Sequence, residues 1–200
     1  MIRMVKYALF GILFVAAAFG QEETRKQADS PFGLTWLASK EEVEHLGVKF
    51  QKVEFKDFGE SYQAANLPKA LADQATTFLS FGFDNKLVRI AAIGRTNEHD
   101  GYGATVKSRY EEIKGVLEKK YGKGKEVAHT QEHYTGEDFA MGLANGKNWL
   151  FTMIETPEMT VELGAIGESL SGTFWRIIFE HKAGMNTLKT HSKQKEEETL

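Results

Sequence analysis

Two histidines at the spacing of helical metal ligands are the first feature of this sequence that could do chemistry. His129 and His133 are four residues apart, which would place both side chains on one face of a helix. The zinc-protease pattern also requires a glutamate directly after the first histidine, and Thr130 stands there. The flanking residues 126–136 lack the apolar periodicity of a helix. We therefore interpret both histidines as solvated loop residues and predict no metal site.

A six-residue segment, Gly-Glu-Ser-Leu-Ser-Gly at 167–172, is close to the nucleophile elbow of hydrolases. In that motif a glycine lies two residues after the serine and a helix follows. Here the closing glycine comes one residue late, and a predicted strand follows. The segment therefore indicates a turn between two strands, and the catalytic residues of this chain, if it has any, stay unknown.

Glycine-rich loops are the other candidates for binding chemistry. Gly101 and Gly103 lie between a predicted strand and a predicted helix, where a dinucleotide-binding loop would stand, but the third glycine of that motif is replaced by Val106. The segment 122–125, Gly-Lys-Gly-Lys, lacks the pattern of a phosphate-binding loop. We predict no cofactor and no cofactor-binding residue.

The remaining polar and aromatic candidates have ordinary structural explanations. The acidic residues near the N-terminus follow a solvated helix face: Asp29, Glu41, Glu42 and Glu44. The three tryptophans are predicted to be core residues: Trp36, Trp149 and Trp175. Arg176 and Glu180, four apart on one face of a strand, predict a surface ion pair.

Composition excludes several classes of protein. There is no cysteine, so disulfides, thiol nucleophiles, thiolate metal sites and a lipid-bearing cysteine are all excluded. The formal net charge of −3 argues against nucleic acid or an anionic membrane as a partner. A length of 200 residues suits one domain with short appendages.

The N-terminus has the pattern of a secretion signal. Arg3 and Lys6 precede an apolar run at 7–19, and small residues, Ala18 and Gly20, stand where a signal peptidase cuts. We predict a signal peptide at 1–20, cleaved after Gly20, with a cut near Ala18 as the alternative. An uncleaved anchor is the other alternative, but the apolar run is shorter than the roughly 20 residues that span a bilayer. The expected location is the periplasm or the exterior, without a stable membrane anchor.

The mature chain is predicted to hold a flexible leader at 21–30, one domain at 31–184 and a charged, frayed or disordered tail at 185–200. Ser39 and Glu42 have the spacing of a capping box and predict a short helix at 40–46. Apolar residues at helical spacing predict a main packed helix at 105–121: Val106, Tyr110, Ile113 and Leu117. A short helix is also expected at 137–144.

Strands account for most of the remaining residues. A hairpin is predicted from 76–83 and 87–94. Leu79, Phe81 and Phe83 are expected to share one face of the first strand, and Val88, Ile90 and Ala92 to share one face of the second. A strand that contains a bulge is predicted at 48–55, and a weaker strand is predicted near Tyr62. Three further strands are predicted at 148–155, 159–166 and 173–180. Because the connections between strands are short, the fold class is α+β with an antiparallel sheet, one main packed helix and one short N-terminal capped helix. The sequence shows no internal repeat.

Three segments carry a resemblance to known proteins. PFGLTWLASKEEVEHLG at 31–47, FLSFGFDNKLVRIAAIG at 78–94 and YEEIKGVLEKKYGKG at 110–124 resemble a group of small, uncharacterised exported bacterial proteins. That group typically has a signal peptide, the pattern PFGLxWxxSxEEVxxLG and a helix ending in KKYGK. The short helix ending at Leu46 and Gly47 is also similar to that of outer-membrane assembly lipoproteins and of β-lactamase-inhibitor-like domains. The resemblance implies export and a fold, and it implies no particular activity.

Three functions remain open at this point. A non-enzymatic binding or scaffold module of the cell envelope, with another envelope or secreted protein as partner, is the leading hypothesis, because no nucleophile, metal or cofactor motif is present. An inhibitor of a secreted enzyme is a special case of it. An envelope hydrolase is the alternative, in which carboxylates or histidines distant in sequence converge in space.

Overall fold

A computed structural model describes residues 31–55 and 58–197. The predicted signal peptide at 1–20 and leader at 21–30 lie outside the described residues. The helices are α1 Lys40–His45, α2 Ala104–Tyr121, α3 Phe139–Ala144 and α4 Lys182–Glu197. The strands are β1 Lys49–Val53, β2 Glu60–Ala65, β3 Gln74–Phe81, β4 Leu87–Gly94, β5 Lys125–His129, β6 Trp149–Glu155, β7 Met159–Gly167 and β8 Thr173–His181.

The eight strands form one antiparallel sheet in the order β1-β2-β3-β4-β8-β7-β6-β5. Two meanders of four strands, β1–β4 and β5–β8, therefore meet at their last strands, and a helix follows each of them. Most strands of the two meanders are joined by short loops, as antiparallel neighbours allow, whereas the connection from β5 to β6 contains α3. The α+β class and the antiparallel sheet predicted from the sequence are confirmed. The topology repeats although the sequence does not.

The helix α2 supplies the main packing layer on the sheet. Val106, Tyr110, Ile113 and Leu117 are all buried, as their spacing predicted. Tyr110, Ile113 and Leu117 join a core that includes side chains of the sheet and of the N-terminal segment, among them Trp36, Val43, Leu79, Ile90, Leu163 and Phe179. The predicted main helix and its inward face are confirmed.

The short helix α1 is held at its start by the predicted capping box. The Ser39 hydroxyl accepts a hydrogen bond from the Glu42 N–H at 3.2 Å, and the Glu42 carboxylate accepts one from the Ser39 N–H at 2.6 Å. Together they satisfy two backbone donors that a helix start leaves open. Val43 then enters the core fully buried.

The predicted bulge lies in a different strand. β1 pairs with β2 in unbroken register, whereas the hairpin of β3 and β4 has a register shift between Ser80 and Phe81. An extra residue in one strand changes which face its neighbours occupy. The prediction that Val88 shares a face with Ile90 is therefore wrong, and Val88 packs in a separate cluster with α4. Phe83 also leaves the predicted face, because it stands in the turn and is exposed.

Two elements differ from the sequence expectation. The residues 185–197, predicted as a frayed or disordered tail, lie in α4, and Met185 and Leu188 are buried beside Val88. Two apolar residues three apart are enough to dock one face of the helix, although the surrounding Lys and Glu residues indicated solvent. The residues of β5 form a strand, although the sequence predicts a loop there because these five residues lack an apolar alternation.

Candidate functional site

The two faces of the sheet differ in what covers them. On one face α2 packs directly: the Tyr110 hydroxyl is hydrogen-bonded to the Thr152 hydroxyl of β6, and Lys114 pairs with Glu126 of β5 at 2.5 Å. Successive side chains of a strand point to opposite faces. The residues next to Thr152 in β6 and next to Glu126 in β5 therefore belong to the other face of the sheet. We call that second surface the open face.

Helices reach the open face at its ends. α4 packs there at Val88, near the start of β4. α3 lies beside Gly167, at the end of β7, on the covered side of the strand, and its Leu143 reaches the open face beside Ile166. Between these two ends the large side chains of the open face are half-buried by their neighbours in the sheet.

The two halves of the open face differ in the number of large apolar side chains that they carry. In the β5–β8 half the strand register places six half-buried apolar side chains on it: Val127, Phe151, Met153, Ile166, Phe174 and Ile178. In the β1–β3 half fewer large apolar side chains, Val53 and Phe78, lie among polar ones: Lys49, Gln51, Ser61, Gln63, Thr76 and Ser80. The Glu162–Arg176 ion pair of the β5–β8 half lies among its apolar side chains. Grouped apolar surface of this kind marks an interaction site more often than scattered single residues do.

A shallow hollow of about 320 Å³ lies in the apolar half. Its floor and walls include Phe151, Ile166, Gly164 and the Glu162 and Arg176 side chains, and Leu143 of α3 closes one side. An aliphatic or aromatic side chain of another molecule would fit such a hollow, as anchor residues do in protein interfaces.

Two arginine–glutamate pairs cross the strands of the open face. Arg176 donates to Glu162 at 2.7 Å, and Arg89 donates to Glu180 at 3.1 Å. The predicted ion pair of Arg176 with Glu180 is therefore wrong. Residues four apart in a strand are separated by about 13 Å along it, whereas partners on adjacent strands are about 5 Å apart. Burial lowers the pKa of Arg89, and the carboxylate of Glu180 opposes that change.

The tryptophan prediction is confirmed for two of the three residues. Trp36 and Trp175 are each 2% exposed. Trp149 is 42% exposed at the β5–β6 edge, and its ring stacks on that of His129 with centroids 4.4 Å apart. An exposed aromatic pair beside the apolar half of the open face enlarges that surface.

The histidines considered as metal ligands lie in different elements. His129 is in β5 rather than in a loop, and His133 is exposed in a 3-10 turn, Glu132–Tyr134. Within residues 31–55 and 58–197, no three His, Cys, Asp or Glu side chains are grouped so that they could hold a metal ion.

The hydrolase-like segment 167–172 is a turn from β7 to β8, as predicted. The Ser169 hydroxyl accepts a hydrogen bond from the Gly172 N–H at 2.9 Å, and the Ser171 hydroxyl donates to the Glu98 carbonyl at 2.8 Å. Both hydroxyls thus hold backbone in place.

The start of α2, where the sequence has the two glycines compared with a dinucleotide-binding loop, is occupied by a carboxylate of the chain. Asp100 accepts hydrogen bonds from the Thr105 and Val106 N–H groups, both at 2.9 Å, and from the Thr173 hydroxyl at 2.6 Å. Burial opposes ionisation, but these bonds outweigh it and hold the pKa of Asp100 below its ordinary value. The helix end therefore already has an anion on its free N–H groups.

The acidic residues of the N-terminal segment also have structural partners. Glu42 completes the capping box, Glu41 accepts from the Asn85 side chain at 2.9 Å, and Glu44 pairs with Lys40 at 2.7 Å. Asp29 lies outside the described residues. The surface location of the three described acids agrees with the predicted solvated helix face.

Comparisons with protein-family models, with curated proteins and with solved structures found no match for this chain. Among the described residues, no helix has both the length and the apolar character needed to cross a membrane.

The open face was not predicted as a site from the sequence. One indication was available: the segment Thr-Phe-Trp-Arg-Ile-Ile-Phe-Glu at 173–180 has apolar residues at both parities. Odd positions such as Trp175 and Ile177 enter the core, and even positions such as Phe174 and Ile178 lie on the open face. An apolar run of this kind predicts a strand covered on both sides.

Proposed function

We propose that this chain is an exported cell-envelope protein that acts as a non-enzymatic binding module, and that the apolar half of its open face binds a protein partner. The observation that carries the proposal is the half-buried group of apolar side chains on β5–β8 that no helix in the described part of the chain covers. Antiparallel sheets normally place polar side chains on a face left to water. A second protein surface would bury this face.

The residue types on the open face support a protein partner. Aromatic, methionine and arginine side chains are enriched at the centres of protein interfaces. The face holds Phe151, Phe174, Met153 and Arg176, of which Phe151 and Arg176 line the shallow hollow. The charge of Arg176 is balanced by Glu162. The partner surface expected from this chemistry is apolar and nearly uncharged at its centre.

The edges of the sheet support face binding over strand addition. The edge strands β1 and β5 have five residues each and carry lysines, Lys49 and Lys52 in one and Lys125 in the other. Short edges with lysine discourage pairing with another strand.

Site-specific photo-crosslinking tests the binding face. A photoreactive phenylalanine analogue replaces Phe151 in one variant and Gln63, on the polar half of the same face, in the other. In cells of the source organism we expect an adduct with one defined protein from position 151 and none from position 63. Equal adducts from both positions, or an adduct from 63 alone, would contradict the proposal, and an adduct with a second copy of the chain would make the face a homodimer interface.

A charge inserted on the face measures its contribution to binding. Phe174→Lys should weaken the purified complex at least tenfold, because loss of a central aromatic contact in an interface costs more than about 1.4 kcal/mol. Gln63→Lys introduces the same charge on the polar half and should leave affinity unchanged. Urea melts of both variants separate loss of binding from loss of fold.

Export is supported by the pattern of residues 1–20 and is tested independently. We expect N-terminal sequencing of the protein recovered outside the cytoplasm to begin at Gln21. Recovery of the chain with Met1 intact in a membrane fraction would overturn the export proposal and leave the binding face to be tested in another compartment.

A further inference from the structure

On the covered face of the sheet, a second apolar concavity lies between α2 and the start of the domain. Its volume is about 580 Å³, within the range of small-molecule sites. The walls are formed by the outer flank of α2, by β8, by the first described residues and by the loop after β2. The apolar lining consists of Pro31, Phe32, Leu71, Ile113, Val116, Leu117, Tyr121, Ile177 and Phe179.

The wall opposite α2 is built from an unusual backbone. Phe32 has a φ of 60°, a left-handed conformation that is uncommon for a bulky residue. Its carbonyl accepts a hydrogen bond from the Lys69 N–H at 3.1 Å, and its ring meets Phe179 edge-on with centroids 5.9 Å apart. The uncommon conformation thus aims an aromatic ring into the groove.

The charges at the mouth of the groove are predominantly positive. Arg109 forms ion pairs with Asp73 at 2.7 Å and with Glu112 at 2.8 Å. Glu112 is the one acidic residue among those that line the groove, and its charge is thus balanced by Arg109. Lys69 and Lys120 also line the groove, and neither has an ion-pair partner within the described residues. Two lysines beside an apolar groove favour a ligand with an apolar chain and an anionic head.

We infer that this groove binds a single-chain anionic amphiphile, such as a fatty acid or a lysophospholipid, with the chain against Val116 and Phe32 and the head at Lys69 and Lys120. The inference rests on neither the open face nor export. The groove is separate from the open face, because its residues belong to the covered side of the sheet.

Displacement of an anionic naphthalene fluorophore by saturated fatty acids, below their micelle concentrations, tests the site. The full chain and the chain without residues 1–20 are both measured. We expect one molecule bound per chain. Affinity should rise about fourfold per added methylene until the groove is full, since each buried methylene contributes a constant increment. Failure of both chains to bind decanoate or dodecanoate, or binding of many molecules per chain, would overturn the inference.

Matched lysine variants test the placement of the head. Lys120→Gln should weaken dodecanoate binding several-fold and leave dodecanol unchanged, because only the charged head contacts this residue. Lys119→Gln, the exposed neighbour outside the groove, should change neither. Equal effects of the two variants would contradict the site. Dodecyl phosphate and lysophosphatidylglycerol, compared with dodecanoate, distinguish a phosphate-bearing head from a carboxylate.

A wall variant tests the placement of the chain. Val116 is 67% exposed on α2, so Val116→Glu should preserve the fold while placing a carboxylate against the bound chain. We expect binding to fall at least tenfold with the urea midpoint unchanged. Unaltered binding by this folded variant would overturn the inference.

Discussion

Arg176 and Arg89 form equivalent ion pairs on the same face of the sheet, in different surroundings. Arg176 of β8 reaches Glu162 of β7, and the two side chains are 38% and 32% exposed. Arg89 of β4 reaches Glu180 of β8, and these side chains are 10% and 29% exposed. The Arg89 guanidinium also lies 4.2 Å from the centre of the Phe58 ring. If the Glu180 carboxylate were removed, the positive charge of Arg89 would therefore stay buried with neither a partner nor solvent around it.

The first prediction compares these two pairs by the same substitution. Glu180→Gln should lower the free energy of unfolding by about 3 kcal/mol, because it leaves the buried Arg89 charge uncompensated. Glu162→Gln should lower it by less than about 1 kcal/mol, since water can solvate Arg176. Urea unfolding of both variants makes the comparison. Equal losses in the free energy of unfolding would mean that water solvates Arg89 as well as it solvates Arg176, which would contradict the prediction.

The second prediction concerns the packing of α2. Ile113→Ala should cost about 2–5 kcal/mol, because it removes buried methyl groups and leaves a partial cavity. Val116→Ala, three residues further on the same helix and 67% exposed, should change stability by less than about 0.5 kcal/mol. Denaturant melts of the two variants test the assignment of the helix faces, which equal stabilities would contradict.

The third prediction uses the carboxylate of Asp100. Asp100→Asn should lower stability by about 1–3 kcal/mol at pH 7, because the amide nitrogen cannot accept from the hydroxyl and N–H groups that surround this side chain. The folded-state pKa is lowered from 3.8. The contribution of the carboxylate is therefore fully present above pH 3.8 and is lost as the pH falls through the lower folded value.

Unfolding measured from pH 7 to pH 3 tests this sign. The stability difference between the native chain and the Asp100→Asn variant should shrink below pH 3.8. Asp138→Asn serves as the matched control, because Asp138 is exposed and makes no side-chain cap of α3. A difference that grows as the pH falls would contradict the assigned role of Asp100.

Local sequence patterns predicted those parts of the fold that depend on local contacts. The capping box at Ser39 and the apolar stripe on α2 involve residues three or four apart, so both are visible in the sequence. β5 was missed because its pairing with β6 lies in the backbone and its side chains are mostly exposed. Charge partners such as Arg89 and Glu180 are 91 residues apart, and nothing local predicts them.

The candidate binding face illustrates the same limit. Phe151, Ile166 and Phe174 each belong to strands that were predicted, but their common surface depends on the order β8-β7-β6-β5. That order places β6 two strands away from β8, and side-chain alternation then brings these residues to one face. The groove beside Val116 likewise depends on the docking of Phe32 against Phe179, across the whole length of the domain.

The last prediction concerns His181, at the junction of β8 and α4. Its ring lies beside Trp36, with centroids 5.7 Å apart, and its Nδ1 accepts a hydrogen bond from the Gly184 N–H at 3.2 Å. Burial lowers the pKa of His181 from 6.5, and the charge of Glu158 acts in the opposite direction. A proton on Nδ1 would break the bond to Gly184 and place a cation at the start of α4, where the helix dipole disfavours it.

The sign of the pH dependence follows from that lowered pKa. The unfolded chain binds a proton at His181 near pH 6.5, and the folded chain binds it only at lower pH, so stability falls as the pH drops from 6.5 through the folded value. His181→Gln should remove this part of the pH dependence, because glutamine stays neutral. His133→Gln, at an exposed histidine, should retain it. Urea unfolding of the three chains between pH 8 and pH 5 makes the measurement. A His181→Gln variant that loses as much stability on acidification as the native chain would contradict the role assigned to His181.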